Sequence, residues 1–236
     1  MKGLIVALQF LTRLPTPRIA VSEADFAASM RWFPAAGLVI GAILAGLAWL
    51  SLPLGAWTTA LLVLIARVAI TGALHLDGLG DIADACGAAH KSRERVLAVL
   101  ADPHLGSFGA VAIGLQLLAK LVLLHGVLQA QELLALMWIP LAARIGPLLW
   151  TLWLPDLHAG LASRFRRAAR PPHLAIWAAI LLAAAWFSPG LLATPLLLGA
   201  WGLWLNRKLG GISGDGHGGG IEVTESGLLL VALVLA

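Results

Sequence analysis

Long apolar runs alternate along this chain with short polar segments, and most of the runs approach the length of a membrane-spanning helix. An α-helix needs about 20 predominantly apolar residues to cross the hydrocarbon core of a bilayer. We predict six spanning helices, at residues 33–52, 57–76, 105–127, 133–154, 174–187 and 191–205. The pattern therefore predicts an all-α fold, namely a polytopic integral membrane helical bundle.

The remaining apolar segments are shorter. A Ser-Pro-Gly breaker at 188–190 separates the last two predicted helices, so we expect a tight hairpin of two short helices there. Residues 228–236 are too short to cross alone and are predicted as a short C-terminal apolar helix. Residues 1–14 lack a clear cleavage site and are predicted as a retained segment at the interface. Because neither a long polar tract nor a repeat is evident, residues 1–236 are expected to form a single membrane-embedded domain.

Basic residues occupy alternate connections between the predicted spans. They precede the first span and follow the second, fourth and sixth: Lys2, Arg13, Arg18, Arg31, Lys91, Arg93, Arg95, Arg164, Arg166, Arg167, Arg170, Arg207 and Lys208. The connections at 51–56, 129–132 and 188–190 carry neither Lys nor Arg. Since basic loops stay in the cytoplasm, we predict that both termini and every polar motif face that side. Transporters normally distribute polar groups through the midplane and onto both faces, so a one-sided site is favoured.

The composition agrees with a membrane protein. Charged residues make up 12% of the 236 residues and hydrophobic ones 60%, with a mean hydropathy of +0.90, whereas soluble domains have about 25% charged residues. This composition predicts the lipid bilayer as a partner. No nucleic-acid partner is predicted, because nothing in the chain resembles a nucleic-acid-binding patch. Ten tryptophans and no tyrosine supply the interfacial aromatics. The single cysteine, Cys86, excludes an internal disulfide and a cysteine metal cluster.

An acidic motif follows the second predicted span, where the sequence reads His75-Leu76-Asp77-Gly78-Leu79-Gly80-Asp81-Ile82-Ala83-Asp84. Positions i, i+4 and i+7 share one face of a helix, so its three aspartates are expected to point the same way. Like charges this close stay ionised together only around a cation, and Mg²⁺ prefers carboxylate oxygens together with substrate phosphates. We predict a metal-dependent reaction on a phosphorylated substrate at a membrane surface. The alternative is a solvated acidic loop.

Two further polar segments are candidates for substrate binding. Residues 210–222 are rich in glycine and contain Asp215 and Glu222, which suits a backbone that approaches a phosphate, although a flexible linker is the alternative. Asp102 is a plausible N-cap of the third span with Pro103 at its first position. His104 is equally placed to face a phosphate at that helix N-terminus.

Three cations fall inside predicted spans, at Arg67, Lys120 and Arg144. Intramembrane cations are costly and usually face a polar interior. Neither Lys120 nor Arg144 has an Asp or Glu in its own span, so we expect both to bind substrate phosphate. Arg67 lies near mid-span, and for it both snorkelling and internal pairing stay open.

With these motifs in view, the chain resembles the adenosylcobinamide-GDP ribazoletransferase family, also called the cobalamin-5′-phosphate synthases. The resemblance runs nearly end to end, and its His-Leu-Asp-Gly and Gly-Asp blocks are specific. The matching segments are Gln9-Phe10-Leu11-Thr12-Arg13-Leu14-Pro15, Phe33-Pro34 with Gly37 and Gly41, Thr71-Gly72, His75-Leu76-Asp77-Gly78-Leu79, Asp81, Asp84, Asp102, Leu105-Gly106, Gly109, Ala119-Lys120, Ala143-Arg144, Leu209-Gly210-Gly211, Gly214-Asp215 and Glu222.

The resemblance implies a membrane enzyme of cobalamin biosynthesis in the bacterial inner membrane. Its substrates would be adenosylcobinamide-GDP and α-ribazole or α-ribazole 5′-phosphate, its cofactor Mg²⁺, and its leaving group GMP. Together with the residue pattern it assigns catalysis and metal binding to Asp77, Asp81, Asp84 and Asp215. Substrate binding is assigned to His75, Asp102, His104, Lys120, Arg144, Gly211, Gly214 and Glu222. A homo-oligomer is compatible with the sequence.

Two other functions are weighed against this one. CDP-alcohol phosphotransferases use a similar Asp-rich helix end, but this chain lacks their Asp-Gly-x-x-Ala-Arg start, because Ile82 and Ala83 interrupt it. A cation-coupled transporter would use the same aspartates as an ion site. The one-sided loops disfavour the transporter.

Overall fold

The computed structural model describes residues 2–88 and 92–236, and most of the chain in these ranges is helical. Within them there is no β-strand, and the one isolated bridge joins Asp156 to Ile212. The predicted all-α class is therefore confirmed. Lys91, which belongs to a predicted basic loop, lies outside the described residues.

Thirteen α-helices follow one another along the described ranges, with short 3₁₀ turns between some of them. Their bounds are α1 Lys2–Leu11, α2 Glu23–Ser29, α3 Phe33–Ser51, α4 Ala56–Thr71, α5 Leu74–Ala88, α6 Arg93–Leu100, α7 Ser107–Gln129, α8 Leu133–Ala143, α9 Gly146–Trp153, α10 Leu161–Arg166, α11 Pro171–Ala185, α12 Thr194–Leu209 and α13 Gly214–Leu235.

The number of segments long and apolar enough to cross a membrane is smaller than predicted. In the described residues four qualify: Glu23–Leu54, Ser107–Gln129, Leu133–Trp153 and Gly214–Leu235. A fifth exists only if α4 and α5 are counted together as a bent pair. About six spanning helices are predicted, and four, or five with the bent pair, are long and apolar enough to cross, so the polytopic helical membrane fold is confirmed. The two short helices predicted around 188–190 are present as α11 and α12.

The second predicted span is broken before it reaches the acidic motif. Helix α4 ends at Thr71, and Gly72 and Ala73 both take positive φ, 59° and 60°. Glycine adopts this left-handed conformation at little cost and commonly terminates helices. The chain turns by 85° there, so α5 runs across the end of α4 instead of prolonging it.

The glycine-rich segment forms the first turns of α13, a continuous helix of 22 residues. Ser213 caps this helix, because its Oγ accepts a hydrogen bond from the Gly216 N–H at 3.1 Å. The alternative of a flexible linker is therefore wrong for residues 214–222, and phosphate binding by this segment stays a prediction. The prediction of a separate short helix at 228–236 is also wrong, since those residues continue the same helix through Leu235.

The glycines of α5 and α13 let the two helices approach backbone to backbone. A Cβ placed on Gly78 would lie 2.9 Å from the carbonyl oxygen of Asp215 and 3.0 Å from its Cα. A Cβ on Gly219 would lie 3.3 Å from the Cα of Leu79. Small residues at helix interfaces allow this kind of close packing within a bilayer. The glycine pattern therefore sets the crossing of α5 and α13.

A buried ionic network joins α4, α7, the end of α8 and α13. Arg67 donates from Nε to Glu225 Oε2 at 2.6 Å and from Nη2 to Glu222 Oε1 at 2.8 Å. Lys120 Nζ donates to Glu222 Oε2 at 2.7 Å and to Glu225 Oε2 at 3.1 Å. Arg144 Nη1 donates to Glu225 Oε1 at 3.0 Å. None of these side chains is more than 4% exposed.

This network overturns the argument that the buried cations need a substrate phosphate. Lys120 and Arg144 find their carboxylate partners on another helix, so the premise that they are unpaired within the protein is wrong. Glu222, predicted to bind substrate, is likewise engaged inside the bundle. Arg67 pairs internally with both carboxylates instead of snorkelling.

We expect Arg67→Leu to lower the free energy of unfolding by about 3–5 kcal/mol, because it leaves two buried carboxylates short of a partner. Thermal unfolding of the purified protein in detergent measures this change. Arg18→Leu removes an exposed arginine and serves as the matched control. Equal melting temperatures for the two variants would contradict a stabilising role for the network.

We expect Gly78→Ala to destabilise the protein by about 1–3 kcal/mol, because the added methyl group meets the backbone of α13 and not a flexible side chain. Gly114→Ala is the control, since a Cβ there meets nothing within 4 Å. The control should be neutral or slightly stabilising, because alanine favours a helix over glycine. Equal shifts in melting temperature for the two variants would contradict the prediction, because they would show that α5 and α13 can move apart without loss of stability.

Candidate active site

Four acidic side chains come together where α5 crosses the first turn of α13. Asp77, Asp81 and Asp84 follow the predicted helical spacing along α5, and Asp215 reaches them from α13. The other three carboxylates all lie close enough to Asp81 to repel its charge. Asp77 is exposed, and the others are half-buried. The structure therefore gathers the four predicted aspartates into one acidic cluster.

Asp84 also has a structural contact within this cluster. Its carboxylate accepts hydrogen bonds from the Gly106 N–H at 2.8 Å and the Gly109 N–H at 2.9 Å. Those two groups lie at the N-terminus of α7, where backbone N–H groups have no partner within the helix. Asp84 therefore caps α7 from a different helix. The prediction of Asp102 as the cap is wrong, because α7 begins at Ser107.

Asp102 and His104 form an exposed pair in the loop before α7. The Asp102 carboxylate lies 2.7 Å from His104 Nδ1 and accepts a hydrogen bond from the His104 N–H at 3.0 Å. Hydrogen bonding to the His104 ring, and then to its backbone, holds the pKa of Asp102 below its usual value. Substrate binding by these two residues stays a prediction.

The glycines predicted to bind substrate have different surroundings. A Cβ on Gly211 would lie 2.7 Å from the Pro155 carbonyl oxygen, so this glycine permits two chain segments to touch. The adjoining Ile212 donates its N–H to the same carbonyl at 2.9 Å. Gly214 begins α13 and lines the pocket described next. Only Gly214 therefore faces space that a ligand can enter.

A pocket of about 90 Å³ opens beside the acidic cluster. Its lining combines two aspartates, two histidines and three aromatic rings, which are Asp77, Asp215, His75, His217, Phe10, Phe33 and Phe165. This volume is smaller than the range of about 300–1,000 Å³ that whole small-molecule sites occupy, so the pocket has room for part of a ligand. The predicted residues His75, Asp77 and Asp215 thus share one small pocket.

The carboxylates fit Mg²⁺ in their chemistry without forming a complete cage. Among residues 2–88 and 92–236, no three His, Cys, Asp or Glu side chains converge on one metal position. Mg²⁺ usually takes one or two carboxylates and completes its shell with water and substrate phosphates. Asp84 already accepts two backbone hydrogen bonds, so Asp77, Asp81 and Asp215 are the better-placed oxygen donors.

Several residues of the site and its support were missed by sequence reasoning. Glu225 completes the buried network, and its spacing of three residues from Glu222 would have indicated a shared helix face had 214–235 been predicted as a helix. His217 was hidden within the glycine run. Phe33 and Phe165 carry no signal of their own, because apolar residues are common throughout a membrane protein.

Comparisons with known proteins point to one family. The model of the family described as cobalamin-5-phosphate synthase matches residues 3–233. The chain is 64% identical over 234 residues to the adenosylcobinamide-GDP ribazoletransferase of Novosphingobium aromaticivorans, covering 98% of this chain and 95% of that protein. It is 51% identical to the protein of the same name from Laribacter hongkongensis, covering 99% and 97%, respectively. The Thiobacillus denitrificans protein of that name is 48% identical, covering 98% and 95%.

No solved structure matches the chain. The family model nevertheless spans the chain from α1 to the last turns of α13, and so includes the acidic cluster, the pocket and the buried network. On this evidence the chain belongs to the cobalamin-5-phosphate synthase family.

Proposed function

We propose that this protein joins adenosylcobinamide-GDP to α-ribazole, or to its 5′-phosphate, and releases GMP in an Mg²⁺-dependent reaction. The observation that carries the proposal is the placement of Asp77 and Asp215 in the wall of one pocket, beside the other acidic side chains. The names and near-complete coverage of the relatives support the choice of substrates.

The reaction transfers the phosphoryl group that carries the cobinamide from GMP to a ribose hydroxyl. A ribose hydroxyl oxygen of α-ribazole forms a bond to the phosphorus that carries the cobinamide, and the bond from that phosphorus to the bridging oxygen breaks. GMP leaves with the bridging oxygen, and the hydroxyl proton passes to a carboxylate. Asp77 and Asp215 line the pocket and are the candidates to accept this proton. General bases must lie within hydrogen-bond reach of the proton they take.

Asp77, Asp81 and Asp215 are the candidate oxygen donors, one or two of which would hold the Mg²⁺, and the ion when bound would neutralise charge on the phosphate oxygens. Without that ion, the negative charges of the acidic cluster would repel the pyrophosphate of the substrate. Phosphoryl transfer depends mainly on positioning and charge neutralisation, because the protein does little covalent chemistry. The task of α5 and α13 is therefore to hold their carboxylates in a fixed relation.

The buried network holds α13 in position for this task. Asp215 and Glu222 lie seven residues apart on α13, which is about 10 Å along the helix axis. Glu222 and Glu225 are fixed by cations from three other parts of the bundle. In this proposal Lys120 and Arg144 act on the reaction through the placement of Asp215, and not by contact with substrate.

We also propose that the acidic cluster faces the cytoplasm across a bacterial inner membrane. The basic residues in and after α10 and in the last turn of α12 favour that side. Helix α13 starts at the cluster and runs for 22 residues, about 33 Å at 1.5 Å per residue, which is enough to cross a bilayer. We therefore revise the predicted topology and place the C-terminus on the periplasmic side.

We expect Asp77→Asn and Asp81→Asn each to reduce GMP release at least about 100-fold, because each removes an anionic oxygen donor without removing bulk. Purified protein is incubated with adenosylcobinamide-GDP, α-ribazole and Mg²⁺, and GMP is quantified. Glu132→Gln neutralises a carboxylate in the loop between α7 and α8 and should retain activity. Near-normal GMP release by either aspartate variant at limiting Mg²⁺ would remove that residue from the proposed metal site.

We expect alkaline phosphatase fused after Ala236 to be active, since it folds only in the periplasm and α13 carries its C-terminus across the membrane. The matched fusion, placed after Gly160 in the loop between α9 and α10, should be inactive. Fluorescence from a cytoplasm-only reporter fused after Ala236, with an inactive phosphatase fusion there, would contradict this orientation of α13.

A further inference from the structure

The pocket beside the acidic cluster has a second part that the transfer reaction does not use directly, which is its aromatic wall. We propose that this wall, formed by Phe10, Phe33 and Phe165, binds the benzimidazole base of α-ribazole. The inference rests on the proposed function and names the subsite for one of its two substrates.

The three rings meet closely enough to form one continuous aromatic surface. The ring centroids of Phe10 and Phe33 are 5.8 Å apart with the planes inclined by 23°. Phe33 and Phe165 are 5.4 Å apart and nearly perpendicular, at 80°. Flat aromatic ligands gain favourable offset-stacked and edge-to-face contacts on such a surface. The rings come from α1, α3 and α10, which places the subsite against the start of α13.

Two buried histidines in the same lining have ring nitrogens without hydrogen-bond partners among the described residues. His217 is 7% exposed, and its Nδ1 is one of these atoms. His75 is 2% exposed, and neither of its ring nitrogens has a hydrogen-bond partner among the described residues. Buried polar atoms are nearly always hydrogen-bonded, so such groups in a pocket indicate a polar ligand atom.

The surroundings of His217 define what that atom must be. Its Nε2 lies 3.3 Å from the Thr151 hydroxyl oxygen. An imidazole nitrogen is a better acceptor than the Met30 sulfur, which is the other neighbour of that hydroxyl. In the proposed arrangement Thr151 donates to Nε2, so Nδ1 carries the proton of the neutral ring and is a donor. The subsite therefore offers an N–H to an aromatic ligand that has a ring acceptor.

The base of α-ribazole fits this description better than the guanine of the other substrate. A dimethylbenzimidazole nucleoside presents two methyl groups, a flat ring and one free ring nitrogen that only accepts. Guanine presents several N–H donors and a carbonyl, each of which costs free energy if buried without a partner. The wall of three phenylalanines, with the proposed donor on His217, suits the first ligand. With its base here, the ribose lies towards Asp77 and Asp215, where its hydroxyl must react.

The test measures binding in the intact protein without turnover. α-Ribazole and, separately, GMP are titrated into purified wild-type protein and into Phe165→Leu, with thermal unfolding of each variant recorded. We expect Phe165→Leu to weaken α-ribazole binding about three- to tenfold, the loss that corresponds to one aromatic contact, and to leave GMP binding unchanged. The control is Phe26→Leu, because Phe26 packs 5.1 Å from Phe165 without lining the pocket.

A second pair of variants tests the donor. His217→Asn keeps an N–H near the position of Nδ1, and His217→Phe keeps the ring without it. The first should retain more α-ribazole affinity than the second. In steady-state kinetics the Phe165→Leu and His217→Phe variants should raise the KM for α-ribazole and not that for adenosylcobinamide-GDP.

Weakened GMP binding with unchanged α-ribazole binding would overturn the proposal and assign the wall to guanine. Unchanged affinity for both ligands in a folded Phe165→Leu protein would also overturn it, while leaving the proposed reaction intact if GMP is still released. Conversely, α-ribazole binding that depends on Phe165 in a protein that releases no GMP would support the subsite and count against the proposed reaction. Should Phe165→Leu fail to fold, the His217 pair decides the question.

Discussion

The pairing of Arg67 with Glu222 and Glu225 is the interaction on which the rest of this structure depends. It joins α4 to α13 across 155 and 158 residues of sequence and lies deep among apolar side chains. A buried charge without a partner is costly in protein and in lipid alike. Each of the five network residues therefore fixes the position of the others, and the helices that carry them have one favourable arrangement.

The close crossing of α5 and α13 turns that arrangement into a site. Because the network fixes the middle of α13, its first turn is held against α5, and the glycines allow the two backbones to touch. Asp215 then reaches the aspartates of α5, and the space left beside them becomes the pocket. Asp84 also links the cluster to α7, because it caps the N-terminus of that helix. A single cluster thus contains Asp84, which has a structural contact, and three carboxylates with a proposed chemical role.

The sequence predicted those parts of this architecture that depend on local pattern. The span at α7 and the shared face of Asp77, Asp81 and Asp84 follow from hydrophobic length and helical spacing. The 85° turn at Gly72 was not predicted, because apolar residues continue on both sides of it. Helix α13 was missed because glycines usually interrupt helices, and only its tertiary partner α5 explains their presence. The capping role of Asp84 could not be predicted either, because the N–H groups that it caps belong to another helix.

The network also has an electrostatic consequence for the acidic cluster. It contains three cations and two carboxylates, and therefore carries one net positive charge inside the bundle. In a medium of low dielectric constant that charge acts over about 10 Å, the distance along α13 from Glu222 to Asp215. The charges that act most on Asp81 are instead the carboxylates of Asp215, Asp77 and Asp84, which oppose its ionisation, so a bound cation is still needed to keep the whole cluster ionised. Lys120 and Arg144, predicted from the sequence to bind phosphate, have their contacts with Glu222 and Glu225 inside the bundle.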